Sequence, residues 1–195
     1  MNFASIKPYW ANCFLLTIPV LIWDLLLTDK LPEAYQPEVF RHDIPSWITY
    51  GESISQTIIF VLALLMPIRM ASSLSKRSLF LYVAGLLIYF ASWLPLIYFP
   101  ASSWSYSLPG FMAPAYTPVL WLTGIGLMGN SFYLNVSFHR WYFLSIALLF
   151  ILFHIVHTHL IYSRVHKANH QTRLRAGPSL LPTAWPGNSA HRYPI

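Results

Sequence analysis

Long apolar runs separated by short polar segments dominate this chain of 195 residues. Each run approaches the roughly 20 residues that an α-helix needs to cross the hydrocarbon core of a bilayer. The runs are continuously apolar rather than alternating, so they predict membrane helices and not the strands of a barrel. The predicted spans are 11–28, 50–68, 79–99, 111–129 and 141–162. The pattern thus predicts an all-α integral membrane protein, a bundle of five transmembrane helices.

Prolines and glycines predict irregular points within these spans. Pro19 and Pro95 remove backbone donors and are expected to bend the first and third helices. Segment 113–118 places two prolines a turn apart, which predicts a kinked or partly unwound entry to the fourth helix. The glycines between 124 and 129 would allow a neighbouring helix to approach closely.

Composition and charge agree with a membrane protein. Only 9% of the residues are charged, whereas soluble domains carry about 25%. The net charge of +6 comes from loops and the tail, so anionic membrane lipids are the expected partner and nucleic acid is not. We expect one transmembrane domain over 1–165 and a basic, then Pro/Gly-rich, disordered tail over 166–195. The basic residues of the loops favour a cytoplasmic N-terminus.

The acidic residues are confined to one stretch of the chain, between Asp24 and Glu52. The six are Asp24, Asp29, Glu33, Glu38, Asp43 and Glu52. With five spans, the parity of the helices places Asp24, Glu52, the proline-rich start of the fourth span and the histidines of the fifth at the same face of the membrane. The anionic chemistry of the chain is therefore expected at one place.

Asp24 and Glu52 are the leading candidates for a ligand site. Ionised carboxyl groups are unfavourable in an apolar span and are often functional there. They could hold a ligand amine or hydroxyl group, or move a proton. Thr28 shares the helix face of Asp24, and Gln56 lies one turn from Glu52. The alternative is that both carboxyl groups lie at the depth of the lipid headgroups and reach water.

Histidines on the fifth span are the second feature with chemistry. His154 and His157 share one helix face and could bind a metal together with a carboxylate. They could also exchange protons with Asp24 or Glu52, or be ordinary hydrogen-bonded side chains near the membrane interface. A haem would need a histidine on a second helix, so we assign no metal or cofactor.

Aromatic and proline-rich residues near the same membrane face could form the wall of a cavity. Trp93 and Tyr98 end the third span, and Tyr116 and Thr117 lie in the irregular start of the fourth. We include all four among the candidate ligand-binding residues. The alternative for the aromatic residues is a belt at the membrane interface.

Two short motifs resemble the EXPERA group, the family of sigma-2-receptor-like and emopamil-binding-protein-like membrane proteins. One motif is Asp24 near the end of the first span, followed by a Leu-Pro loop over 31–41. The other is the pair Glu52 and Gln56 on the second span. The Ala-Pro-Ala-Tyr sequence at 113–116 is similar to an element on the last core helix of that family.

The resemblance implies four core helices around an apolar cavity with carboxyl groups at its base. Members bind sterols and amphipathic amines, and some isomerise a sterol double bond. Asp24 and Glu52 would hold the ligand and Gln56 would support them. The fifth span and its histidines depart from the family pattern. No Asp or Glu follows Glu52 in the sequence, so the further catalytic acid of the isomerases has no counterpart here.

Together these features predict an intramembrane cavity that binds a lipid-like molecule of the isoprenoid or sterol kind. The protein would be a binding protein or an isomerase-like enzyme. One alternative is an accessory subunit whose polar residues contact a partner membrane protein or a second copy of the chain. The other is a metal or proton site built on His154 and His157.

Overall fold

A computed structural model describes residues 11–68, 72–135 and 137–176, with side chains as far as Lys167. The five main helices are α1 (Ile18–Leu27), α2 (Ser46–Leu65), α3 (Ser73–Tyr98), α4 (Pro118–Met128) and α5 (Arg140–Ala176). Across these ranges no strand forms beyond one isolated bridge between Asn12 and Pro67. The predicted all-helical class is confirmed.

Three helices are long and apolar enough to cross a membrane: α2, α3 and the part of α5 from Arg140 to Lys167. They correspond to the second, third and fifth predicted spans. The helices α1 and α4 contain only 10 and 11 residues, which is short of the roughly 20 needed to cross a bilayer. The structure therefore supports a membrane protein with three spanning helices. That α1 and α4 also cross the membrane stays a prediction.

The first and fourth predicted spans are interrupted at their prolines. Before α4 the chain forms two short helices, Leu108–Phe111 and Ala113–Tyr116. These helices and α4 each have a proline in the first turn, where the missing N–H disrupts no helical hydrogen bond. The partly unwound entry predicted at 113–118 is confirmed. Pro19 lies in the first turn of α1 rather than within a continuous helix, whereas Pro95 lies inside α3.

The boundary predicted after residue 165 does not interrupt α5, which continues to Ala176. The remainder of the tail that the composition predicted to be disordered, 177–195, lies outside the described residues. The sequence placed the end of the fifth helix at 162 because basic and polar residues begin there. A helix that leaves the membrane can continue into water, so loss of apolar character does not mark its end.

Close backbone contact joins α4 to its neighbours. A Cβ atom on Gly124 would lie 2.7 Å from the backbone of Tyr82 on α3, and one on Gly85 would lie 2.6 Å from the backbone nitrogen of Trp121. A Cβ on Gly126 would meet Leu144 on α5 at 2.6 Å. At Gly85 and Gly124 the neighbouring atoms are backbone, so only glycine fits there, whereas at Gly126 the neighbour is the end of a leucine side chain, which can shift. These contacts agree with the close approach predicted for 124–129.

Hydrogen bonds between distant segments show which chain ends lie together. At one end, Cys13 N donates to Met66 O at 2.8 Å and Tyr133 N donates to Leu65 O at 3.0 Å. At the other end, the hydroxyl group of Tyr35 donates to the carbonyl of Phe111. Loops 28–45 and 99–117 therefore share one end of the bundle, as helix parity predicted.

Tyr35 fixes the long loop between α1 and α2 to the rest of the bundle. Its ring packs on Phe111 with ring centroids 4.7 Å apart. Burial raises the pKa of the Tyr35 phenol well above its ordinary value, so the hydroxyl group keeps the proton that it donates to Phe111. The amide of Gln36 adds bonds to the carbonyls of Thr28 and Leu31 at 3.2 and 3.0 Å. The loop is thus held to the segment before α4 by Tyr35 and to its own first residues by Gln36.

Candidate functional site

A cavity of about 230 Å³ lies between the five helices, near the end where loop 28–45 packs. Most of its wall is apolar or aromatic, with Val20, Ile59, Trp93, Trp121 and Phe150 among the lining side chains. The polar lining side chains include Asp24, Thr28, Glu52, Gln56 and His154. Leu21 and Gln56 line the cavity and are also exposed, so the cavity reaches the outer surface between α1 and α2.

Asp24 is fixed to α3 by one of its two carboxyl oxygens. The Tyr89 hydroxyl group donates to Asp24 Oδ1 at 2.7 Å, and the indole of Trp23 stacks on Phe90 with centroids 4.2 Å apart. Thr28 donates its hydroxyl proton to the backbone carbonyl of Asp24 at 2.5 Å. Among the described residues no hydrogen-bond partner is found for Asp24 Oδ2, so this oxygen is available to a ligand.

Glu52 binds two histidines of α5, one with each carboxyl oxygen. Its Oε1 lies 2.6 Å from His154 Nδ1 and its Oε2 lies 2.5 Å from His157 Nδ1. His157 Nε2 lies 2.8 Å from the carbonyl oxygen of Phe40. The imidazole ring of His157 also packs on the phenyl ring of Phe40, with centroids 4.4 Å apart. The histidine cluster, which we define as Glu52, His154 and His157, therefore joins α2, α5 and the loop.

A count of protons fixes the hydrogen-bonding role of His154. The carbonyl of Phe40 can only accept, so His157 Nε2 carries a proton, and each contact between Glu52 and an Nδ1 atom needs one more. With these three protons the histidine cluster has zero net charge, whether Glu52 or His157 holds the proton that they share. In this neutral arrangement Nδ1 holds the single ring proton of His154. His154 Nε2 therefore carries a lone pair.

The two histidines do not share a metal in the manner that their spacing allowed. Both turn Nδ1 towards Glu52, and the second nitrogen of His157 is used by Phe40. Within 11–68, 72–135 and 137–167 no group of three His, Cys, Asp or Glu side chains is arranged to hold a metal ion. The geometry instead favours the proton-handling and hydrogen-bonding alternatives.

Six of the ten candidate binding residues line the cavity. They are Asp24, Thr28, Glu52, Gln56, Trp93 and His154. His157 lies behind Glu52 rather than at the cavity wall. Tyr98 is 69% exposed, Tyr116 donates outward to the carbonyl of Pro109 at 3.1 Å, and Thr117 donates to the carbonyl of Ala113 at 2.8 Å. None of these three is among the residues that line the cavity.

Tyr89 and Phe40 are functional neighbours that are not among the ten candidate binding residues. Tyr82, Tyr89 and Trp93 recur at intervals of seven and four residues, so they share one face of α3. All three are buried, and this spacing could have indicated that Tyr89 faces the bundle. Nothing local to Phe40 indicates that its carbonyl receives a histidine proton, because that contact depends on how the loop folds back.

The fold and the cavity define a class of protein: a helical membrane-type bundle with a mostly apolar internal cavity and carboxyl groups in its wall. Comparisons of the chain with models of known families, with curated proteins and with solved structures found no match. The function is therefore inferred from the geometry of the cavity. The resemblance to the EXPERA group enters only as a proposal.

Proposed function

We propose that the protein binds a lipid-like small molecule, of the isoprenoid or sterol kind, in the cavity between its helices. The observation that carries this proposal is that Asp24 of α1 and Glu52 of α2 both line one mostly apolar cavity. Polar groups that fix orientation in an otherwise apolar wall are typical of small-molecule sites. The unpartnered Oδ2 of Asp24 and lone pair of His154 Nε2 provide two points for polar contact.

The proposal includes all five helices as membrane-crossing segments, with the N-terminus in the cytoplasm. α1 follows α3 in the same direction, because Tyr82 donates to Leu16 at 2.9 Å and Tyr89 to Asp24 at 2.7 Å. The turn Cys13–Leu16 extends α1 at its start. Short helices extend α4 at its start in a similar way. The orientation rests on the basic residues of the loops.

The size of the cavity restricts the part of the ligand that it encloses. Its volume of about 230 Å³ lies between the roughly 150 Å³ of an engineered cavity that binds benzene and the roughly 300 Å³ at the lower end of ligand pockets. One ring or a short chain fits inside. A longer molecule would extend through the opening beside Leu21 and Gln56 towards the lipid.

Membership of the EXPERA group is part of the proposal. In support, Asp24, Glu52 and Gln56, which carry the resemblance, all line the cavity. Pro114 and Ala115, from the Ala-Pro-Ala-Tyr sequence, also line it. The contribution of His154 from α5 is the main departure from the family pattern.

A second candidate function is proton transfer on the bound ligand, as in an isomerase. It is favoured by the presence of Asp24 and His154 in the same cavity wall, since a carboxyl group and an imidazole are the usual partners in acid–base catalysis. The hydroxyl groups of Thr28 and Thr158 donate to backbone carbonyls. Acid–base chemistry therefore fits the cavity better than nucleophilic catalysis.

Mass spectrometry of molecules that co-purify with the protein tests the binding proposal. The protein is purified in mild detergent, and its apolar molecules are extracted and quantified per chain. We expect one dominant species in the wild type and about a tenfold loss in Asp24→Asn, the order of one strong polar contact. Asp29→Asn is the matched control, because Asp29 is exposed just beyond α1. Equal amounts in all three proteins would show that Asp24 does not hold the ligand, and the absence of any apolar species in the wild type would favour the accessory-subunit alternative.

A further inference from the structure

Glu52 and His154 differ in the hydrogen-bonding atoms that they leave free for a ligand. Glu52 lines the cavity, but each of its carboxyl oxygens already contacts an imidazole nitrogen, at 2.6 and 2.5 Å. His154 lines the same cavity, and its Nε2 has no hydrogen-bond partner among the described residues. His154 Nε2 is therefore a free acceptor on the α5 side of the cavity, as Asp24 Oδ2 is on the α1 side.

We infer that His154 receives the polar group of the ligand through Nε2, that Glu52 is a positioning residue, and that the polar group is a hydroxyl. This inference rests on the proposed function, because it names the chemical class of the ligand in the same cavity. The bond from His154 Nδ1 to Glu52 orients the ring and leaves the lone pair on the other nitrogen. A lone pair on an imidazole accepts a hydrogen bond, and a hydroxyl group is the neutral donor that isoprenoid and sterol alcohols carry.

An ammonium group fits this wall less well than a hydroxyl group. The histidine cluster has no net charge, so it cannot compensate a cation that has left water. An ammonium ligand would have to pair with Asp24 Oδ2 on α1, and substitution of His154 would then have little effect. An ether has no proton to donate to His154. Alcohol, ether and amine forms of one molecule therefore distinguish these binding modes.

Matched isoprenoid probes provide the test: farnesol, its methyl ether and farnesylamine. Binding to the full chain in mild detergent is measured by the change in the wavelength and intensity of tryptophan fluorescence, since Trp93 and Trp121 line the cavity. We expect the wild type to bind farnesol about tenfold more tightly than the ether, the order of one hydrogen bond. The ratio of the two affinities is the readout, because general damage to the cavity weakens both probes.

Two substitutions of His154 separate the two ring nitrogens. His154→Asn places an amide near Nδ1, where it can still bind Glu52, and removes the acceptor at Nε2. We expect it to bind farnesol and the ether equally. His154→Gln reaches the position of Nε2 with a polar group and is expected to keep part of the preference. His159→Asn, on an exposed residue of the same helix, should behave as the wild type.

The possible outcomes distinguish failure of the inference from failure of the proposed function. If the wild type binds the ether as tightly as farnesol, prefers farnesylamine, or keeps its preference in His154→Asn, the inference is wrong while ligand binding stands. If the wild type binds none of the three probes and no apolar molecule co-purifies, the proposed function fails and the inference fails with it.

Discussion

Replacement of Glu52 by leucine and by glutamine should have very different effects on stability. Leucine cannot bind either histidine, so His154 and His157 both lose the partner of Nδ1. The side chain of His157 is only 3% exposed and that of His154 is 24% exposed. A buried polar group left without a partner lowers stability by about 1–3 kcal/mol, so we expect Glu52→Leu to lower the free energy of unfolding by about 2–5 kcal/mol.

Glutamine can replace both hydrogen bonds of Glu52. Its amide oxygen accepts from His154 Nδ1, and its amide N–H donates to His157 Nδ1, while His157 Nε2 still donates to the carbonyl of Phe40. The net charge of the histidine cluster remains zero. We therefore expect Glu52→Gln to stay within about 1 kcal/mol of the wild type.

The free energy of unfolding of both variants is measured in mild-detergent micelles. A denaturing detergent is added stepwise, and tryptophan fluorescence follows the unfolding. The prediction is a large difference between leucine and glutamine at one position. If Glu52→Gln is as unstable as Glu52→Leu, the cluster requires an ion pair between Glu52 and a protonated His157, and a neutral amide cannot replace the carboxylate. If neither variant is destabilised, the two short contacts to the histidines contribute nothing to the fold.

Three further substitutions test the packing around the cavity. Gly124→Leu places a side chain against the backbone of α3 and should lower the free energy of unfolding by about 1–3 kcal/mol or more; an unchanged unfolding midpoint would refute the close contact. Tyr35→Phe leaves the carbonyl of Phe111 without its donor, so backbone hydrogen exchange in loop 28–45 should accelerate, and unchanged exchange would count against this anchor. Tyr89→Phe removes the donor to Asp24 and should weaken stability by about 1–3 kcal/mol; full stability would show that the bond is dispensable.

Apolar run length predicted three of the helices well, because length and hydropathy alone decide whether a helix can cross a bilayer. The same criterion merged the short helix Ala113–Tyr116 with α4, since it takes no account of backbone breaks. The prolines at 114 and 118 carried that information, and the prediction of an irregular entry used it correctly. Bounds were least accurate at the end of α5, where the helix continues beyond the apolar run.

The candidate site was predicted in part, because helix parity limits which residues can lie at the same depth. It brought Asp24, Glu52 and His154 to one face, and they line one cavity. Parity does not give the rotation of a helix about its axis, so it could not show that Tyr98 points outward. It also could not show that His154 and His157 both face Glu52, since an i, i+3 pair on a helix fits either a metal or a carboxylate.

The number of apolar molecules bound per chain, in the wild type and in Ala115→Leu, tests most directly whether the cavity holds a ligand. Ala115 is 1% exposed and lines the cavity, so a leucine there would occupy ligand space without changing Asp24 or the histidine cluster. The account predicts about one molecule per chain in the wild type, as for a single ligand pocket, and little or none in Ala115→Leu. Equal occupancy in the two proteins, or no bound molecule in the wild type, would contradict it.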